Sequence, residues 1–239
     1  MARSSLNINT KHYLIVGGNT GIGAASVECL LGQGHQLTVA SRRIDPDIAS
    51  RVTYCPFDVE TVFALGLPDM LDGLVYFPGT INLKPLTRLM AADYERDYRI
   101  NVIRAVHAIQ AALPALKRAP RASIVLFGRV AAKVGLPFHA SIAAAKAAVE
   151  GLGRSLAAEL APKIRVNVIS PSLTDTPLAQ AFLNSEEKRR ASGDRHPAKR
   201  VGDPKEMAAL VDYLLGSNSS FVTGQVFRAD GGLSSVRLL

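Results

Sequence analysis

The 239-residue chain predicts an α/β fold, a doubly wound parallel sheet of about seven strands with helices on both faces, in a single domain. Three observations lead there. Apolar runs of strand length alternate with helix-length segments along the whole chain, the pattern of βα units around a parallel sheet. Several of those runs lack polar alternation, as strands covered on both faces should. The first run, Leu14-Ile15-Val16, ends abruptly in glycines, and a helix-compatible segment follows from Ala24 to Leu31, so the chain opens with strand, tight turn and helix. A hydrophobic content of 48% is enough for one sizeable core, and no internal repeat or low-complexity linker divides it.

In chain order, strands are expected at His12–Gly17, Gln36–Ala40, Arg51–Phe57, Gly73–Phe77, Ser123–Phe127, Ile164–Ile169 and Gln225–Arg228. Helices are expected at Gly21–Gln33, Ala92–Leu113, Ser141–Leu160 and Pro204–Leu215, the last with Asp203 as N-cap and Pro204 in its first turn. Residues 172–201 read as irregular.

The glycine turn carries the first functional signal. In Gly17-Gly18-Asn19-Thr20-Gly21-Ile22-Gly23 the glycines allow positive φ and let an anion approach without meeting a Cβ. The amides and the positive dipole end of the following helix favour a phosphate there. The spacing is Gly-x-x-x-Gly-x-Gly, which differs from the Gly-x-Gly-x-x-Gly dinucleotide fingerprint.

Composition narrows the partners. The net charge of +8 is scattered apart from Lys188-Arg189-Arg190 and a cluster from Arg195 to Arg200. Without aromatic interleaving, zinc spacing or a basic recognition helix, this argues against nucleic acid. Cys29 and Cys55 form no paired motif, which suits a reducing compartment. Met1 to Lys11 is polar, and no apolar run is long enough to span a bilayer, so a cytoplasmic protein without a membrane partner is expected.

The turn resembles the Thr-Gly-x-x-x-Gly-Ile-Gly motif of the short-chain dehydrogenase/reductase family. Gly17, Gly21, Ile22 and Gly23 match, and Val16 stands where threonine is usual. The resemblance implies a Rossmann-type domain binding a nicotinamide dinucleotide, with Asn19 and Thr20 completing the phosphate turn. After the second strand, Ser41-Arg42-Arg43 offers no acid for an adenosine ribose, and two guanidiniums suit a 2′-phosphate. NADP(H) is therefore expected over NAD(H), with Arg42 the better candidate. Asp58 and Val59 match the Asp-Val that binds adenine. Gly79 survives from an Asn-Asn-Ala-Gly stretch that here reads Tyr76-Phe77-Pro78-Gly79.

The family's catalytic set is a tyrosine, a lysine, a serine and an asparagine. Asn101 matches the asparagine that holds a relay water, and Lys146 the lysine that bonds the ribose and lowers the tyrosine's pKa. Ile142 falls on the tyrosine position and Arg129 on the serine position. An aliphatic side chain transfers no proton, and a guanidinium is a poor proton donor. Arg129 is read either as a clamp for a carbonyl oxygen or anionic group, or as half of an ordinary salt bridge. His139 has a suitable pKa range but is read as a surface or capping histidine.

Beyond the sixth strand, Arg165-Val166-Asn167-Val168-Ile169-Ser170-Pro171-Ser172 resembles the stretch that holds the nicotinamide. Pro171 matches, Ser172 replaces glycine, and Thr174 or Thr176 supplies the hydroxyl. The basic segment that follows, within residues 172–201, corresponds to a substrate lid. Its charge favours an acidic substrate or simply keeps the loop solvated. The resemblance runs from His12 to Gly232 and implies an NADP(H)-dependent oxidoreductase of carbonyl or alcohol substrates with an atypical active site. The alternative is an inactive NADP(H)-binding sensor or partner subunit. By the same analogy the Ala-rich helix and the Asn101 helix build a homodimer or homotetramer interface.

Overall fold

The computed structural model describes residues 10–60 and 66–237; the polar stretch at residues 1–9 lies outside them. Seven strands form one parallel sheet: β1 (His12–Val16), β2 (Gln36–Ser41), β3 (Thr53–Pro56), β4 (Gly73–Tyr76), β5 (Ala122–Phe127), β6 (Ile164–Ile169) and β7 (Val226–Phe227). Their order is β3-β2-β1-β4-β5-β6-β7. Consecutive strands grow outward on both sides of β1, so the order reverses between β1 and β4. A crevice opens beyond the carboxyl ends of the strands at such a reversal.

The sheet is buried on both faces because neighbouring residues of one strand feed opposite layers. Leu14 and Val16 of β1 and Ile124 and Leu126 of β5 enter one core; Tyr13 and Ile15, and Val125 and Phe127, enter the other. That is the period of two of a pleated strand. On the first face pack α4 (Arg104–Arg118) and α5 (Ala140–Leu160), through Ala105, Ala108, Ala112, Val149 and Ala157 among others, with α3 (Ala91–Tyr98) lying against α5. On the second pack α1 (Gly21–Gly32) and α8 (Pro204–Leu215), through Val27, Leu30, Met207 and Val211. The start of α8 is capped reciprocally. Asp203 accepts from the Lys205 amide at 2.8 Å, and the Asp203 amide donates to Glu206 at 2.9 Å.

The seven strands stand where the apolar runs place them, with β3 and β7 shorter than expected. Three differences matter more. The single helix expected over Ala92–Leu113 is two helices joined by a wide π turn at Arg99–Ile103. The segment expected to be irregular contains α6 (Gln180–Leu183) and α7 (Glu186–Asp194), and a one-turn α2 (Pro46–Ala49) follows β2. α7 lacks an apolar stripe but is capped by Ser185, whose hydroxyl accepts from the Lys188 amide at 3.2 Å, and Glu186 and Glu187 favour its first turn. Among the described residues no helix is long and apolar enough to cross a membrane.

Candidate active site

A groove of about 700 Å³ lies over the ends of β1, β2 and β4. Its floor is the glycine turn, where Gly17 has φ +86° and Gly21 φ +56°. A Cβ on Gly23 would stand 2.1 Å from the Gly17 carbonyl oxygen, so no other residue fits there. Thr20 is the N-cap of α1 and makes no side-chain capping bond, and the first turn of α1 carries no acid. The helix therefore presents free amides and its positive end to the groove. Asn19, Thr20, Ile22 and Thr176 line it near the turn; Ser41, Arg42, Asp58 and Val59 line it at the other end. This cradle fits the phosphates of a dinucleotide.

Four predicted cofactor contacts do not line the groove, one of them Lys146, which is buried beneath Gly79. Arg43 does not line the groove; its carbonyl accepts the Ser41 hydroxyl at 2.6 Å, which uses the one proton Ser41 can donate. Pro171 does not line it either; its carbonyl accepts from the Val130 amide at 3.0 Å. Of the two threonines, Thr176 faces the groove. Thr174 is buried, bonds the Ser172 carbonyl and bridges to Gly202.

Beneath Gly79 the chain assembles a buried polar cluster. A Cβ on Gly79 would lie 3.1 Å from Asn101 Oδ1 and 3.3 Å from Lys146 Nζ, so a side chain there would crowd both. Lys146 is almost wholly buried on α5 and donates to the Phe127 carbonyl at 2.7 Å. Its pKa is lowered to about 7, chiefly by burial and next by the nearby Arg129 charge, with Asp97 opposing the shift. Asn101 sits in the π turn, and its Nδ2 donates to the Asp97 carbonyl at 2.7 Å. That carbonyl is the oxygen to which a regular α-helix would deliver the amide of residue 101. The amide side chain thus supports the widened turn. Among the described residues Asn101 Oδ1 is buried with no hydrogen-bond partner, although Asn101 itself does not line the groove.

Asp97 is the functional candidate that the sequence reading missed. It is 1% exposed, and its carboxylate accepts from the hydroxyls of Thr80 and Ser141, each at 2.5 Å. The available signal was its place four residues before Asn101, on the same side of a helix. Thr80 links both by accepting from Asn101 Nδ2 at 3.2 Å.

Arg129 and Ile142 part company. Ile142 is fully buried in α5 and lines neither cavity. Arg129 leaves the groove for a second cavity of about 460 Å³, bordered by Leu83, Val130, Leu136, Phe182 and Leu233 and closed by α6 and α7. The salt bridge allowed for it is not made. Among the described residues Arg129 has neither an ion pair nor a side-chain hydrogen bond, and burial alone lowers its pKa. His139 is at the N-cap position of α5 without a side-chain capping bond; its Nδ1 pairs with the Pro137 carbonyl, and the residue lines this cavity. Ser172 and His196 also line it, joined Oγ to Nε2 at 2.7 Å, with His196 Nδ1 held by the Ser192 carbonyl at 2.9 Å.

Among the described residues none lines both the cavity and the groove, but near neighbours in sequence divide between them: Leu83 and Lys84, Phe127 and Arg129, and Leu178 and Ala181.

The comparisons agree with this geometry. A family model described as enoyl-(acyl carrier protein) reductase matches residues 16–234. A tropinone reductase homolog of Arabidopsis thaliana is 35% identical, over 92% of this chain and 92% of its own. The ligand-free aldohexose dehydrogenase of Thermoplasma acidophilum superposes with a TM-score of 0.86 at 26% identity, covering 98% of this chain and 97% of that one. A short-chain glucose/ribitol dehydrogenase from Brucella melitensis superposes with a TM-score of 0.83 at 28% identity, over 95% and 97% of the two chains. Sheet order, glycine turn and relatives converge, and the chain belongs to the short-chain dehydrogenase/reductase family of oxidoreductases.

Proposed function

We propose that the chain binds NADP(H) in the groove and reduces a carbonyl, or oxidises the matching alcohol, in the adjoining cavity with an atypical set of side chains. The observation that carries the cofactor choice is Arg42, a guanidinium on the groove at the end of β2 where an NAD site holds an acid. Gly17, Gly21 and Gly23 would admit the pyrophosphate, with the amides of α1 and Thr176 around it. Asp58 and Val59 would meet the adenine. Bound NADPH supplies a hydride to an electrophilic carbon.

The protein's own groups then have distinct tasks. Lys146 and Asn101, held beneath Gly79, provide a donor and an unpaired acceptor where the reacting end of the cofactor would lie. Arg129 offers guanidinium N–H groups to a polar or anionic group of the substrate but no transferable proton at neutral pH. Ile142 transfers none. Absence of one positioned acid–base group costs roughly 10²–10⁴-fold in rate, so slow turnover is expected. A second reading, cofactor binding without turnover as a sensor or partner subunit, is favoured by the complete burial of Ile142 at the expected tyrosine position.

Fluorescence titration decides the first step. NADPH should bind at least about tenfold more tightly than NADH, and Arg42→Ala should remove that preference while leaving NADH unchanged, given the worth of a charge-assisted bond. Equal binding of both forms by the wild type would sink the assignment. Deuteride transfer from 4-deuterated NADPH to a panel of carbonyl compounds separates turnover from the binding-only reading. We further propose a homo-oligomer, as is typical of the family, in a reducing cytoplasm, consistent with the free Cys29 and Cys55.

A further inference from the structure

We infer that the second cavity takes an amphipathic organic monoanion, with its carboxylate or sulfonate head on Arg129 and its apolar body against Leu83, Leu136, Leu173 and Phe182. This deepens the reading above by naming the substrate class of the same site.

The argument starts from charge. No aspartate or glutamate lines the cavity among the described residues, whereas Arg129, Lys188 and Arg195 all do. Lys188 and Arg195 are exposed and hydrated at the rim, where a charge needs no partner. Arg129 is different: it is largely withdrawn from solvent, and no carboxylate reaches it. Withdrawing a cation from water without a counter-ion is costly, and the cost is removed when an anion enters. A guanidinium presents paired N–H donors that match the two oxygens of a carboxylate or sulfonate.

The remaining wall decides against a purely polar anion. Leucines, Val130 and Phe182 border the space around the cations, and about 460 Å³ lies within the range of pockets that enclose small organic ligands. The hydroxyl of Ser172 and the ring of His196 are already paired with each other, with His196 anchored at its second nitrogen, so Arg129 is left as the strong donor. From the basic segment after β6, Lys188 and Arg195 thus supply rim charges that attract the anion, and Arg129 is the inner charge that receives it.

Isothermal titration of the full-length protein, with and without saturating NADPH, would use octanoate, 1-octanesulfonate, 1-octanol and acetate as probes. Octanoate or octanesulfonate should bind at least tenfold more tightly than octanol, and octanoate at least tenfold more tightly than acetate. Which of the two anions is preferred identifies the head. Arg129→Met should erase the preference for anions over octanol, and Arg129→Lys should keep part of it. Octanol matching both anions would overturn the charged half of the proposal, and acetate matching octanoate the apolar half. Because the wild-type comparison needs no variant, poor folding of Arg129→Met would not rescue it. Anion preference in a protein that binds no NADPH would refute the cofactor reading and leave this one standing.

Discussion

Lys146 is a cation enclosed by its own fold. Among the described residues its ammonium donates only to the Phe127 carbonyl, with Arg129 repelling it and Asp97 attracting it from a distance. With a folded pKa of about 7 against an ordinary 10.5, the sign of its linkage is fixed. Below pH 7 the lysine is charged in both states, and the fold bears the whole cost of burying that charge. Between pH 7 and 10.5 the unfolded chain holds a proton that the folded chain has released, so stability rises with pH. Above that range the penalty is gone. The full difference amounts to about 5 kcal/mol as an upper bound. Between pH 6.5 and pH 9 the wild type should therefore gain about 2–3 kcal/mol relative to Lys146→Met in urea unfolding without cofactor. Parallel pH profiles for the two proteins would show that the amine is not depressed. Lys146 and Asn101 were legible from their register with a known motif. Asp97 and the isolation of Arg129 were not, because each depends on what the fold brings across from other elements: Ser141 and Thr80 to Asp97, and no carboxylate to Arg129.

At the scale of elements, α5 poses a test in which two effects oppose each other. It crosses β6 closely at Gly153, where a Cβ would stand 2.5 Å from Cγ2 of the buried Val168. Helix propensity alone makes Gly153→Ala stabilising by about 1 kcal/mol. Overpacking against a β-branched side chain with one favoured rotamer costs about 1–3 kcal/mol. The contact should win, and Gly153→Ala should lower the unfolding midpoint. A raised midpoint would mean that β6 and α5 separate easily. This contact was hidden in the sequence, where Gly153 is one more small residue in an Ala-rich run. The π turn at Arg99–Ile103 was hidden for a related reason: apolar periodicity continues through it, and only Tyr76, whose hydroxyl bonds the Ile100 carbonyl at 2.6 Å, and the Asn101 side chain reveal where the backbone opens. α7 escaped notice because its signals are a cap and acidic residues rather than an apolar face. Strands fared better. A parallel sheet covered on both sides needs continuous apolar runs, and such runs stand out even when, as in β7, only two residues pair.

For the whole molecule the open question is what covers the outer side of α5. Its inner residues, Ser141, Ala145, Val149, Gly153 and Ala157, are buried at helical spacing, while Ala144, Ala147 and Ala158 are exposed. A Cβ on Gly151 would meet nothing within 4 Å in the single chain. Nearby, Tyr98 and Ile103 leave sizeable apolar side chains in water. Small residues on a helix allow the close approach of a second helix, and exposed apolar side chains beside them gain about 25 cal/mol for each Å² covered. If this face joins two copies, a long charged side chain at Gly151 has no room in the assembly, although it has ample room in the monomer. Sedimentation velocity should find the wild type as a dimer or tetramer and Gly151→Arg as a monomer that still binds NADPH. Retention of the wild-type assembly by Gly151→Arg would move the interface away from this face of α5. A wild type that sediments as a monomer would remove the oligomer altogether.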